Sequence, residues 1–319
     1  MKRFLAAAGS VAALAAAAIA ILFFGIVSFP RGVFSHTYQS VIQDKVRYYE
    51  QTKGRRLILV GGSSAAYGID EERLEQETGC KVANLGLYGG LGDLFQTQLV
   101  RANLQAGDLV VLAYEYNWID EESFTTIPAD MVMSGIDDDL PLYRFVPLRQ
   151  WPSVLGYLFP YAAKKAEYAK NPGEDIHHTL FDENGRLTED RPESLLLDYA
   201  ENPEAQNPVD LAGRHVSRES AAYLSAFRTY VERRGARVVM AAPPLLADAV
   251  SCDPEEFDRI VSETEDLTGI EWISRPQDYF YPAEYMYDTV YHCNSEGARI
   301  RTDMLYADLD SHELTADWR

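Results

Sequence analysis

The chain has 319 residues, 47% of them hydrophobic and 12% aromatic, which is enough apolar material for one large packed domain or two modest ones. Its 29 basic residues face 49 acidic ones, and leaving out Lys2 and Arg3 at the extreme N-terminus gives 27 against 49, a net charge of −22. That acidity makes nucleic acid and anionic headgroups poor candidates as general partners, and the three cysteines, Cys80, Cys252 and Cys293, have no metal-ligand spacing and allow at most one disulfide.

Lys2 and Arg3 are followed by 26 residues, Phe4 to Phe29, without a charge. At about 1.5 Å per residue such a helix exceeds the roughly 30 Å hydrocarbon core of a bilayer. A cleaved signal peptide has a shorter apolar region and a polar cleavage site, so residues 1–34 read as an uncleaved signal anchor and its flank. The positive charges at the start predict a cytoplasmic N-terminus and an extracytoplasmic remainder. Residues 35–54 read as a stalk joining anchor to domain, with Tyr38, Val41, Ile42, Val46 and Tyr49 at helical spacing. Residues 55–319 make up the domain.

The domain opens with Leu57 to Asp70, where an apolar run ends abruptly in small residues and the hydroxyls of Ser63 and Ser64. It reads as a buried strand that delivers serine at its carboxyl end, where ligands gather in open α/β sheets. Gly61 and Gly62 suit a sharp turn. A helix is expected from about Asp70, its cap, to Thr78, with Ile69 and Leu74 as a staple and Gly79 as its end. The same spacing also fits a plain strand-to-helix turn. A second strand, Lys81 to Leu85, leads into the glycine-rich loop Gly86 to Gly92, and an amphipathic helix carrying Leu91, Phe95, Leu99 and Ala102 precedes a third strand, Leu109 to Tyr114. Strand and helix alternate, which argues for a parallel sheet with right-handed crossovers.

Between about residues 120 and 215 the alternation stops, and the segment reads as an insertion over the carboxyl edge of the sheet, a lid or a substrate wall. Its basic and aromatic stretch, Tyr143 to Trp151, fits plain packing, or a glycan or membrane surface. The α/β pattern resumes with a helix Ser217 to Arg234, a strand Arg237 to Ala242 running into Pro243-Pro244, a helix of about Pro254 to Leu267, and a last strand Glu271 to Ile273. The final helix, Asn294 to about Leu309, takes Asn294 as its cap and buries Ile300 and Met304.

Serine is a weak nucleophile until a base takes its proton, and the loop before the last helix holds both a base and a carboxylate to orient it, His292 and Asp288. His36 falls in the stalk, His177 and His178 in the insertion, His215 at its exit and His312 in the tail. There is no Gly-x-Ser-x-Gly elbow, phosphate-binding loop or dinucleotide fingerprint, and no His or Cys spacing points to a metal; no cofactor is expected.

Gly61-Gly62-Ser63, Asn84 to Gly89, Glu115-Tyr116-Asn117 and Asp288 to His292 together resemble the four blocks of the SGNH (GDSL-like) hydrolase superfamily, particularly membrane-anchored extracytoplasmic members related to the DltD and AlgJ-like envelope-modification proteins. The match covers residues 55–118 and 236–309. It departs from the family at Gly62, where many members have Asp, in the third block, which lacks its Gly and one member of its Asn-Asp pair, and in the three residues between Asp288 and His292 where two are usual. The resemblance implies a three-layer α/β/α, flavodoxin-like fold and a catalytic Ser63, Asp288 and His292. Alignment one residue later makes Ser64 the nucleophile. It further implies an oxyanion hole from the nucleophile's own N–H, Gly89 and Asn117, with Glu115 lining the site if Asn117 does not serve. The implied activity is that of a serine esterase or O-acyltransferase on acyl groups of cell-envelope glycans or polymers. Two readings without catalysis stay open: an SGNH-fold protein binding envelope glycan or protein partners, and a structural, receptor-like α/β domain.

Overall fold

The computed structural model describes residues 1–120, 122–201 and 208–316. In chain order its helices are α1 (Lys2–Ser28), α2 (Val41–Gln51), α3 (Ser63–Gly68), α4 (Glu71–Thr78), α5 (Asp93–Leu99), α6 (Ala129–Ile136), α7 (Trp151–Tyr168), α8 (Ile176–Leu180), α9 (Arg218–Glu232), α10 (Glu255–Thr268) and α11 (Ser295–Ser311). The strands are β1 (Arg56–Val60), β2 (Lys81–Asn84), β3 (Leu109–Leu112), β4 (Arg237–Met240), β5 (Leu245–Leu246), β6 (Glu271–Trp272) and β7 (Phe280–Tyr281).

Five strands form one wholly parallel sheet in the order β2-β1-β3-β4-β6. After the opening Arg56 of β1 and Arg237 of β4, its central strands are apolar at every position because both faces are covered. Ile58, Val60, Val110, Leu112 and Met240 join one buried cluster, with Leu94 and Phe95 of α5, Leu224, Phe227 and Val231 of α9 and Phe257 and Ile260 of α10. Leu57, Leu59, Val82, Leu109, Val111 and Val239 join the other, with Leu74 of α4 and Leu305 and Leu309 of α11. Alternate residues of each strand therefore meet different helix layers, as the period of two requires. The strand order reverses between β1 and β3, and a crevice opens there at the carboxyl ends.

Local signals are obeyed where they are strongest. Asp70 accepts from the Arg73 amide at 3.0 Å as the cap of α4, Gly79 ends that helix in the left-handed region, Ser217 caps α9 and Asn294 caps α11. Three expectations need correction. Residues 35–54, expected as a stalk joining anchor to domain, contain α2, whose Val41, Ile42, Val46 and Tyr49 lie inside the core because its apolar stripe packs on β2 and α6. The strand Glu271–Trp272 is not the last, since β7 follows and pairs in parallel with the short β5 beyond Pro244. On α11 it is Leu305 and Leu309 that are buried, with Ile300 and Met304 only partly covered.

α1 has a mean hydropathy of 2.6 over its most apolar window and is almost wholly exposed, so it is long and apolar enough to cross a membrane and is not a core helix. Only Phe23 and Val27, in its last two turns, are buried, and they pack on α7. The three cysteines are free.

Candidate active site

β1 ends at Val60, and two glycines carry the chain into α3. Neither has a left-handed backbone; what demands glycine is close approach. A Cβ on Gly61 would stand 2.4 Å from the carbonyl oxygen of Ala113, and one on Gly62 2.7 Å from Glu115 Oε1. α3 then starts at Ser63, a short helix in place of the plain turn that the glycines and serines also fit.

The two serines diverge. Ser63 is partly exposed and lines the crevice, and its hydroxyl donates to Glu115 Oε1 at 3.2 Å. Ser64 points into the core at 0% exposure, its Oγ has no partner among the described residues, and its carbonyl accepts from Arg301 Nη1 at 2.6 Å. Arg301, buried on α11, thereby ties the last helix to the serine turn. It passes so close to α3 that a Cβ on Gly68 would lie 2.4 Å from the guanidinium.

Asp288 and His292 sit in the loop between β7 and α11. The Tyr287 amide donates to the His292 carbonyl at 2.7 Å, Met286 bridges to Cys293, and the β5 amide of Leu246 holds the Val290 carbonyl at 2.8 Å. This closed loop brings Asp288 Oδ1 to 2.7 Å from His292 Nδ1, so the longer spacing still yields the pair. The imidazole lies flat on the Tyr67 ring, with centroids 4.2 Å apart and planes 5° apart. Tyr67 is one helical turn beyond Ser63. Burial above all, and the Asp288 charge after it, push its phenol up to about 12, so the ring is neutral.

Glu115 follows β3 and reaches across the mouth of the turn. Its Oε1 accepts the Ser64 amide at 3.0 Å as well as the Ser63 hydroxyl, and a Cβ on Gly89 would lie 3.5 Å from its Oε2. The carboxylate thus stands between the serine turn and the glycine loop. Gly89 and Asn117 are both exposed, Gly89 opening a short turn of helix and Asn117 on the crevice rim. Next to them Asp93 lines a second hollow, and burial first, with the Glu115 charge behind it, pushes its carboxyl up to about 8. The glycine loop is braced from below by Asn84, whose Nδ2 donates to the Ala65 carbonyl and to Glu71 Oε1, both at 2.9 Å, and whose Oδ1 accepts the Gly86 amide.

Ser63, His292, Glu115 and Asn117 open onto one cavity of about 640 Å³. Tyr38, Tyr88 and Tyr291 give it aromatic walls, and Arg214, paired with Asp120, closes one side. Arg214 and, beside it in the lining, Pro208, Val209 and Asp210 come from the end of the segment at about residues 120–215. Tyr38, Tyr67 and Arg214 join the site without a motif of their own. For Tyr67 the available signal was its helical spacing from Ser63; for the other two there was none, since they arrive from elements distant in sequence. Among the described residues no group of three or more His, Cys, Asp or Glu is placed to hold a metal ion. No protein-family model matches the chain, and no curated protein sequence matches it.

Proposed function

We propose that the protein is a membrane-anchored, extracytoplasmic serine esterase or O-acyltransferase of SGNH type, acting on acyl groups of cell-envelope glycans or polymers. The observation that carries this reading is that the strand-terminal Ser63 and the Asp288-oriented His292 face one cavity at the strand-order reversal of a parallel sheet. Counting only the strands of that sheet in chain order, β2-β1-β3-β4-β6 is the order 2-1-3-4-5, which fits the flavodoxin-like variant of the α/β/α fold that the sequence resemblance implies.

In the proposed reaction Ser63 Oγ attacks the ester carbonyl while His292 takes its proton. Nδ1 is engaged by Asp288, so Nε2 is the nitrogen left for that proton. The tetrahedral intermediate collapses with expulsion of the alcohol, to which His292 returns the proton, and the acyl group stays on Ser63. Water or a second hydroxyl then attacks the acyl-serine and completes hydrolysis or transfer. The Ser63 and Gly89 backbone N–H groups, with Asn117 at the rim, are the proposed oxyanion donors, each typically worth about 3–4 kcal/mol. Aromatic walls beside polar groups suit a sugar ring, whose faces are apolar and whose edges carry hydroxyls. Lys2 and Arg3 at the start of α1 favour a cytoplasmic N-terminus.

Glu115 favours a second reading, a glycan- or partner-binding SGNH-fold protein without catalysis, because a carboxylate beside Ser63 opposes a developing negative charge. The full chain in detergent separates the two. A serine hydrolase labels with a fluorophosphonate, loses labelling in Ser63→Ala and His292→Ala, and turns over a small acyl ester. A binding protein takes no label, and its ligand affinity survives His292→Ala.

A further inference from the structure

α7 is a helix with one face in the core and one that none of the described residues covers. Val154, Leu158, Tyr161 and Lys165 point inward, and Lys165 Nζ both pairs with Asp137 and donates to the Val27 carbonyl near the end of α1 at 2.7 Å. The opposite row, Pro152, Gly156, Phe159, Pro160 and Ala163, is exposed and carries no charge, in a chain of which 24% is charged. Phe159 is 69% exposed, and Leu148, just ahead of α7, is 86% exposed. Both are large apolar side chains that a water-facing surface does not favour.

This face is continuous with α1. Phe23 packs edge-on against Tyr143 and Trp151, with centroids 5.1 and 5.3 Å apart, and Phe24, Leu148 and Arg144 border the same apolar groove of about 460 Å³. Residues 141–170 hold five basic residues and one acidic, against the acidity of the rest of the chain, and the exposed Arg144 and Arg149 flank Leu148. A tryptophan at the end of an apolar helix, exposed apolar side chains beside it and arginines at their border make up the composition of a membrane interface.

We propose that the outer face of α7, together with Leu148, is a second membrane contact that lies in the headgroup layer of the bilayer crossed by α1. The inference rests on reading α1 as a membrane anchor. The contact makes the domain dock on the membrane at a fixed tilt, with α1 and α7 locked together through Phe23, Val27 and Lys165. The cavity is held close to the same surface, because Tyr38 in its wall follows Ser28 by ten residues, which span at most about 36 Å. A site so placed meets substrates presented at the membrane.

The test uses the full chain in vesicles of phosphatidylcholine and phosphatidylglycerol. Cys252 is replaced by alanine and the buried Cys80 and Cys293 are kept. A polarity-sensitive fluorophore is attached to one introduced cysteine at a time, and quenching by spin-labelled lipid is read. Leu148→Cys and Phe159→Cys should be quenched by a label near the headgroups at least about twofold more than Leu267→Cys on α10, since interfacial helices sit about 5–10 Å into the boundary. Val11→Cys reports the anchor by quenching from a label deep in the chains. Quenching at Val11 with none beyond the Leu267 level at Leu148 and Phe159 overturns the contact and leaves the anchor standing. Shielding of Phe159 from both lipid and aqueous quenchers overturns it too, in favour of a protein on that face.

Discussion

The Ser63 hydroxyl donates to Glu115 Oε1 at 3.2 Å, and the same oxygen accepts the Ser64 amide at 3.0 Å. The proposed nucleophile is thus held by a carboxylate that also occupies donors at the start of α3. Glu115→Gln keeps an acceptor oxygen there and removes the charge. If His292 is the base, fluorophosphonate labelling of Glu115→Gln should rise by about fivefold or more, since one unit charge a few ångströms away contributes on the order of 1–4 kcal/mol. Loss of labelling in this variant would make Glu115 the base instead.

The two serines should separate in one experiment. Ser64→Ala removes a buried hydroxyl that has no partner among the described residues, and unfolding by denaturant should show it as stable as the parent or more stable by about 1 kcal/mol, with labelling retained. Ser63→Ala should fold equally well and not label. The reverse pattern would move the nucleophile to Ser64.

Gly68 should tolerate no side chain. A methyl group there meets Arg301 at 2.4 Å, and Arg301 is buried with its Nη1 on the Ser64 carbonyl, so it has little room to retreat. Gly68→Ala should cost about 1–3 kcal/mol in chemical denaturation and slow labelling of Ser63 by displacing the turn.

His177 joins the segment after α7 to α2. Its Nε2 lies 2.6 Å from Asp44 and its Nδ1 2.9 Å from the Ser35 carbonyl, so both nitrogens face acceptors. Burial works against its charge, but the Asp44 hydrogen bond and charge outweigh it and hold the imidazole above its ordinary value. A raised folded value means stability that is complete below about pH 6.5 and lost as pH climbs through the folded value. His177→Gln should therefore cost about 1.5–3 kcal/mol at the acid end, measured by thermal melts across pH, and progressively less toward alkaline pH. A cost independent of pH would contradict the charged pair.

Asp93 should show the opposite use of charge. With its carboxyl pushed up to about 8, the parent loses stability as pH rises from the carboxylate range through that value. Asp93→Asn has no charge to gain and should flatten this limb, so its melting temperature at alkaline pH should exceed the parent's.

Amino-acid order alone carried the local decisions: the apolar α1, the buried runs of β1 to β4, the caps at Asp70, Ser217 and Asn294, and the pairing of Asp288 with His292 within one loop. These depend on neighbours a few residues apart, where hydrophobic period, capping chemistry and chain reach act directly. Tertiary structure decided what depends on distant partners. Ser63 faces the cavity and Ser64 does not because α3 is helical and Arg301, 237 residues away, holds its backbone. The apolar stripe of α2 became core because β2 and α6 offered it a surface to cover, and Tyr38 just ahead of it lies in the cavity wall. The two-residue β5 and β7 are too short to show a period, yet their pairing and the Leu246 bond to Val290 aim the His292 loop. Glu115 was visible as a residue near the site; that its carboxylate stands on the serine is a consequence of the β1–β3 register, which places the ends of those two strands side by side.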